Sequence, residues 1–319
     1  MFTSVKKEIY MNKYIGIDIG GTKCAVVLAL EDGTIIEKER FDTADCGSTL
    51  ERIFAAIEEM GGGYCAIGVS CGGPLDSRLG IIQSPPNLKG WDDVRITEML
   101  TSRFGVPAYL QNDANACALA EWKYGAGVGT SNMVFLTFGT GMGAGLILDG
   151  RLYEGANGNA GEVGHLRLDR SGPVGYGKQG SFEGFCSGGG IAQIGRTLAE
   201  VAQQKGIAHG LSLPISAKSL AEDARLGNET ALEVWRVCGE YLGRGLAVII
   251  DLLNPECIVI GSIFQRSAHL LVEQMDRWIG EEALGQSRVV CRIVPAKLAD
   301  EIGDVAAVSI AVDGFCRRG

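Results

Sequence analysis

Two stretches hold residues whose types suit phosphate chemistry. In "IGIDIGGTKCAVVLAL", residues 15–30, an apolar strand runs into Asp18, Gly20 and Gly21 make a tight turn, Thr22 and Lys23 follow, and an apolar strand resumes. A plain hairpin turn accounts for the glycines but not for Asp18, Thr22 and Lys23. The second stretch, "TFGTGMGAG" at 137–145, repeats the form with hydroxyls at Thr137 and Thr140. Neither is a Walker loop or a G-x-G-x-x-G fingerprint. Each offers backbone N–H groups left free by glycine, and two such turns at matching places in two halves of a chain could hold a polyphosphate from two sides. Asp18, at its strand end, would then face the Mg²⁺ that accompanies phosphates, which keeps waters and takes one or two carboxylates.

Proton-transfer and hydroxyl-binding candidates lie elsewhere. In "YLQNDANACALAEW" a strand ends at Asn112-Asp113 and an alanine-rich helix begins. One of the two residues is an ordinary N-cap, but both cannot be. The spare carboxylate would sit at the sheet edge where α/β folds place ligands, able to accept a proton from a hydroxyl. "AGEVGHLRL" sets Glu162 and His165 three apart, and Glu183 follows in "GSFEGF". A lone loop Glu is usually solvated and a lone His usually structural. Two carboxylates and an imidazole in one glycine-rich segment suit a hydroxyl-rich ligand such as a sugar.

The elements that must position these groups follow from periodicity. "YIGIDIG", "KCAVVLAL" and "TIIEKERFD" predict an antiparallel meander, and "STLERIFAAIEEM" a helix with Ser48 as N-cap and Glu51 completing a capping box. "YCAIGVS" reads as a buried strand, "ITEMLTSRFG" as a helix and "VPAYLQ" as a strand. A second meander spans "NMVFLTFGTGMGAGLILDGRLYEG", so the halves begin alike and predict an α/β fold of duplicated mixed-sheet domains with a cleft between them. Helices over "SGGGIAQIGRTLAEVAQQKG" and "ALEVWRVCGEYLGRGLAVIIDLLNP", strands at "CIVIG" and "SRVVCRIVPAKL", and a final helix that packs back on the first domain complete the reading. The expected domains are 13–115 plus 300–319, the smaller, and 116–299. The first ten or so residues are expected to be a loose extension, with Met11 an alternative start.

At 319 residues and a formal charge of −9, the chain is large enough for two domains and lacks the basic surface that nucleic acid or anionic membrane requires. Its ten cysteines show no C-x-x-C spacing and read as reduced thiols of a cytoplasmic protein. No secretory signal or membrane span is expected.

Taken together these residues resemble the ROK family, the repressor, open reading frame and kinase group, over nearly the whole chain from about Tyr14. "DIGGTK" is similar to its first phosphate loop, "NDANACALAEW" to its catalytic segment, "TFGTGMGAGLILDG" to its second phosphate loop and "GNAGEVGH" to its sugar-binding signature. The resemblance implies a two-domain actin-like ATPase (ribonuclease H-like) fold. It also implies a glucokinase-like ATP-dependent kinase acting on a hexose or N-acetylhexosamine, at the 6-hydroxyl, with ATP and Mg²⁺. Asp113 would be the general base. Asn112, Glu162, His165 and Glu183 would hold sugar hydroxyls, with Arg78 and Asn87 in a loop that lines the sugar cleft. Gly20, Gly21, Thr22 and Lys23 with Asp18 would serve phosphate and Mg²⁺, Asp18 through water, and Thr140, Gly141 and Gly261 would contact the nucleotide. A homodimer or larger assembly is implied as well.

Two departures stand out. Family members carry zinc in a stretch resembling C-x-C-G-x-x-G-C-L-E, where this chain has "VGYGKQGSFE", with Val174, Tyr176 and Ser181 at the cysteine positions. His165 alone cannot hold tetrahedral zinc, so no structural zinc is expected, and glycine-rich packing around Phe182 and Tyr176 should order the loop. Ser262 stands where a further glycine is common. The alternatives to a kinase are a DNA-binding repressor, which needs a winged-helix domain for which little chain precedes Tyr14, and a sugar sensor that has lost catalysis.

Overall fold

The opening apolar runs form β1 (Lys13–Ile19) and β2 (Lys23–Leu30), buried along most of their length, while the charged residues of β3 (Ile35–Asp42) lie on an exposed edge. The computed structural model describes residues 11–318; the N-terminal extension expected from the sequence lies outside them. After β3 come α1 (Cys46–Glu59), β4 (Tyr64–Cys71), a short hairpin of β5 (Leu75–Asp76) and β6 (Ile81–Ile82), α2 (Ile96–Phe104), β7 (Ala108–Asn112) and α3 (Asp113–Tyr124). Asp45, not Ser48, caps α1, its carboxylate accepting from the Ser48 N–H at 3.1 Å. The Thr49 hydroxyl accepts from Ala44 N–H at 3.0 Å, which tightens the preceding turn and lets the helix start sooner than expected.

The chain continues through β8 (Met133–Phe138), β9 (Met142–Leu148), β10 (Arg151–Tyr153), β11 (Val174–Gly175), β12 (Lys178–Gln179), α4 (Phe182–Phe185), α5 (Gly188–Gln204), α6 (Ala217–Arg225) and α7 (Glu229–Leu253). Then follow β13 (Cys257–Ile260), α8 (Ile263–Glu282), α9 (Gly285–Arg288), β14 (Arg292–Pro295) and α10 (Ile302–Arg318). The strand expected over "SRVVCRIVPAKL" is confined to β14. It pairs only with the four residues of β13, so the preceding residues, with nothing to pair against, form α9 and leave Val289 and Val290 exposed.

Two compact units result. One ends at Ala120 and resumes at Asp300; the other runs from Glu121 to Ala299. The first has a sheet ordered β3-β2-β1-β4-β7 and the second a sheet ordered β10-β9-β8-β13-β14. In each, three antiparallel strands are followed by two parallel ones, so the duplication expected from the sequence is present in the strand order.

Helices bury the sheet faces. In the first unit Ile53, Ile57 and Leu100 of α1 and α2 pack with Ile15, Ile17 and Val69, while Val308, Ala311 and Val312 of α10 pack with Tyr14, Val27 and Ala66 on the opposite face. A β-carbon on Gly68 would lie 2.2 Å from the Ala307 carbonyl, so glycine is what lets α10 approach β4 so closely. In the second unit Ile191, Leu242, Leu246 and Leu271 of α5, α7 and α8 cover Val134, Leu136, Ile258 and Ile260. Among the described residues no helix is long and apolar enough to cross a membrane.

Candidate catalytic and ligand-binding groups

Parallel pairing brings Ile19, Cys71 and Asn112 into register at one end of the first sheet, the carboxyl end where open α/β sheets place ligands. Asn112 Oδ1 accepts from Asn115 N–H at 2.7 Å and so caps α3. Asp113 is the spare acid, with one oxygen on the Ala114 N–H at 2.8 Å. Solvent reaches Asp113, yet the protein crowded around its carboxyl disfavours charge and holds its pKa above the usual carboxylate range, against the pull of the Ala114 N–H.

Asp18 lies near the end of β1. Burial first, then the charges of Asp304 and Asp113, raise its pKa to about 6, with Lys38 and Arg40 opposing. A β-carbon on Gly303 would lie 3.0 Å from Asp18 Oδ2, so the start of α10 rests against this carboxylate. The Asp304 carboxylate, buried, pairs with Lys38 of β3. Sequence reasoning missed both residues. They are 266 positions apart, and no local pattern marks them.

The β1–β2 turn closes with Gly20 N–H donating to Lys23 O at 3.0 Å, and Thr43 holds it from outside, its hydroxyl donating to Gly20 O at 2.7 Å. Gly21 and Thr22 are exposed. A β-carbon on Gly21 would strike Asn87 at 2.7 Å, so the loop carrying Asn87 lies over this turn. Lys23, expected to serve phosphate, pairs with Asp42 at 3.1 Å across β2 and β3.

In the second unit the β8–β9 turn is Gly139-Thr140-Gly141, closed by Gly139 N–H on Gly141 O at 3.1 Å. Thr140 is exposed, while the Thr137 hydroxyl is occupied within the strands by Gly143 N–H at 2.8 Å. Gly188 N–H, at the start of α5, donates to Gly139 O at 2.8 Å, so a helix N-terminus, whose free N–H groups favour anions, stands beside the turn. Sequence reasoning missed Ser187 and Gly188. A capping serine followed by glycines at the head of a helix was the available signal. Gly261 N–H donates to Leu136 O at 3.0 Å at the end of β13. Ser262 follows at φ 58°, ψ −108°, with its Oγ 3.4 Å from where a β-carbon on Gly139 would be.

The candidate sugar residues occupy neighbouring turns of this unit. Glu162, just before a tight 3-10 turn, Val163–His165, and His165, its last residue, are both exposed. Gly164 packs on the Met142 carbonyl, too close for a β-carbon. Glu183, the second residue of α4, lies beside them, with Oε2 accepting from Met142 N–H at 3.0 Å.

The stretch at the zinc-cysteine positions is a two-residue hairpin. Tyr176 (φ 43°) and Gly177 (φ 74°) turn β11 into β12, as a type I′ turn requires. Ser181 is buried and caps α4, accepting from Gly184 N–H at 3.1 Å. Gln193 both donates to and accepts from the Val174 backbone. Phe182 is fully buried, as expected, but Tyr176 is 81% exposed. Its place in the turn points it outward, where its ring meets His165 edge-on at a centroid separation of 5.2 Å. Among the described residues no group of three or more His, Cys, Asp or Glu side chains is placed to hold a metal ion.

Comparison with known proteins adds four similarities. The sequence profile of the ROK family matches residues 14–313. A glucokinase of Thermotoga maritima is 32% identical over 306 residues, spanning 93% of this chain and 96% of that protein, and a putative xylose repressor of Caldicellulosiruptor is 30% identical over 311 residues, spanning 93% and 77%. The structure of a ROK family glucokinase from Streptomyces griseus in complex with glucose and AMPPNP matches with a TM-score of 0.74 at 28% identity, over 97% of this chain and 100% of that one.

Proposed function

The chain belongs to the ROK family, and on that premise we propose that it is an ATP-dependent, glucokinase-like kinase of a hexose or N-acetylhexosamine, acting at the 6-hydroxyl. The observation that carries the reading is the head of α3, where Asn112 takes over the cap and leaves Asp113 free for chemistry. Its raised pKa makes this carboxylate a stronger proton acceptor than an ordinary one.

In this reading Asn112, Glu162, His165 and Glu183 hold the sugar hydroxyls. Asp113 accepts the proton of the 6-hydroxyl as its oxygen bonds to the γ-phosphorus and the bond to the β–γ bridging oxygen breaks. ADP leaves, and Asp113 returns the proton to solvent. Gly20, Gly21 and Thr22, with Thr140, Gly141 and Gly261, orient the phosphates, and positioning of this kind supplies most of the catalysis in phosphoryl transfer. Lys23 would first have to leave Asp42 to reach a phosphate, which an exposed pair does at little cost.

Asp18 fits a Mg²⁺ partner. Burial and two neighbouring acids outweigh Lys38 and Arg40 and hold this carboxyl at about 6, so further cationic charge would stabilise its ionised form, and oxygen donors suit that ion. When bound, Mg²⁺ would neutralise charge on the phosphate oxygens.

The Thermotoga relative and the Streptomyces griseus complex with glucose and AMPPNP support a sugar and ATP as substrates. Family resemblance extends the proposal to a homodimer or larger assembly in the cytoplasm. The repressor relative, at similar identity, favours a second reading, a sugar-responsive regulator without catalysis. ADP release from Mg-ATP measured against glucose, mannose, fructose, allose, N-acetylglucosamine and N-acetylmannosamine separates the two. Turnover on one or two sugars is expected; calorimetric sugar binding with no turnover on any of them would favour the regulator.

A further inference from the structure

Glu183 faces two ways. Its Oε2 accepts from Met142 N–H at 3.0 Å, the first backbone donor beyond the turn Gly139-Thr140-Gly141. A β-carbon on Gly141 would lie 2.8 Å from that same oxygen, so the carboxylate lies directly against the turn. The Glu183 backbone is fixed as well. Phe182 N–H donates to Leu166 O at 2.8 Å, Ser181 caps the helix turn, and β-carbons on Gly175 or Gly164 would meet the Glu183 side chain at 2.8 and 3.3 Å. Among the described residues the other oxygen, Oε1, makes no hydrogen bond, while an ionised carboxylate can accept several.

We propose that Glu183 is a positioning residue for the nucleotide as well as a sugar ligand: one carboxylate oxygen holds Met142 N–H and with it the shape of the glycine turn, and the other takes a sugar hydroxyl. The inference rests on the kinase reading and deepens it. A glycine turn has little conformational preference of its own, so hydrogen bonds from outside add to its own closing bond in holding one shape: Gly188 N–H on Gly139 O at one side and Glu183 on Met142 N–H at the other. Glu162 and His165 make no such bond to the turn, which separates their role from that of Glu183.

Glutamine distinguishes the two functions. Its amide oxygen can still accept from Met142 N–H, but the group facing the sugar becomes an NH₂ donor. Alanine removes both interactions. The test is calorimetric titration with Mg-AMPPNP in the absence of sugar, on wild type, E183Q, E183A and E162A, with sugar titrations in parallel and thermal melts to verify folding. Loss of one hydrogen bond predicts AMPPNP affinity about fivefold or more weaker in E183A, within about twofold of wild type in E183Q, and unchanged in E162A, with sugar binding weakened in all three. A merely structural role for Glu183 would move both ligands together in E183Q. Wild-type AMPPNP affinity in E183A, or an equal loss in E162A, would overturn the inference alone. Failure of wild type to bind AMPPNP would overturn the kinase reading and this inference with it. If E183A does not fold, the nearly isosteric E183Q decides, since AMPPNP binding that falls in step with sugar binding contradicts the proposal.

Discussion

Asn112 and Asp113 divide two tasks at the head of α3: Asn112 Oδ1 takes the Asn115 N–H at 2.7 Å and caps the helix, and Asp113, one residue on, commits a single oxygen to Ala114 N–H at 2.8 Å. Had Asp113 been the cap, the helix would have held its carboxylate in the charged form and weakened it as a base. With Asn112 as the cap, the Asn112 amide nitrogen is left to donate to a ligand.

The first prediction concerns pH. Asp18 and Asp113 both have pKa values raised first by burial, so kcat/KM should fall on the acid side with a midpoint above that of an ordinary carboxylate. For stability, a folded pKa of about 6 against the ordinary 3.8 at Asp18 means that the native state binds more protons than the unfolded chain across that window. Its stability is therefore lost as pH rises through it. D18N should melt at a higher temperature than wild type at neutral pH, with the gap closing below the ordinary value. Melting scans across pH check this, and a gap that widens in acid would contradict it.

Ser262 gives a second prediction. At φ 58°, ψ −108° a residue with a β-carbon is strained, typically by about 1–3 kcal/mol. Glycine adopts that backbone freely but costs roughly 0.5–1 kcal/mol in unfolded-chain entropy. S262G should therefore gain on the order of 1 kcal/mol in urea denaturation. A lower urea midpoint would show that the serine hydroxyl contributes more than the strain removes.

The hairpin at the zinc-cysteine positions gives a third. Ser181 caps α4 and so holds Glu183 in place. S181A should lose about 1 kcal/mol of stability and raise the sugar KM more than kcat falls. The wild-type melting temperature should be unchanged by a strong zinc chelator such as phenanthroline. A chelator-induced drop would mean that the loop is metal-ordered.

What could be read in the sequence was what depends on neighbours along the chain. The strand-turn-strand runs around Gly20-Gly21 and Gly139-Gly141, the Asn112-Asp113 junction and the final helix all follow from local periodicity and turn chemistry. The α1 cap was misplaced because Asp45 and Ser48 are both good caps, and the choice depends on the Thr49 hydroxyl holding Ala44. Packing around Tyr176 is the sequence expectation for this loop, but a positive φ in a two-residue turn points the ring outward. Contacts between residues distant in sequence left no local trace: Asp304 with Lys38, Gly303 against Asp18, and Glu183 on Met142, 41 positions away. These three contacts bear on the electrostatics and shape of the candidate groups.

The central claim is that Asp113 is the base of a sugar kinase, and D113N tests it most directly. ADP and sugar phosphate formation from Mg-ATP should be measured for wild type and D113N on the best sugar of the panel, with sugar affinity followed by calorimetry. The expected result is a fall in kcat of about 10²–10⁴-fold with sugar affinity nearly unchanged; turnover in D113N equal to wild type would contradict the account.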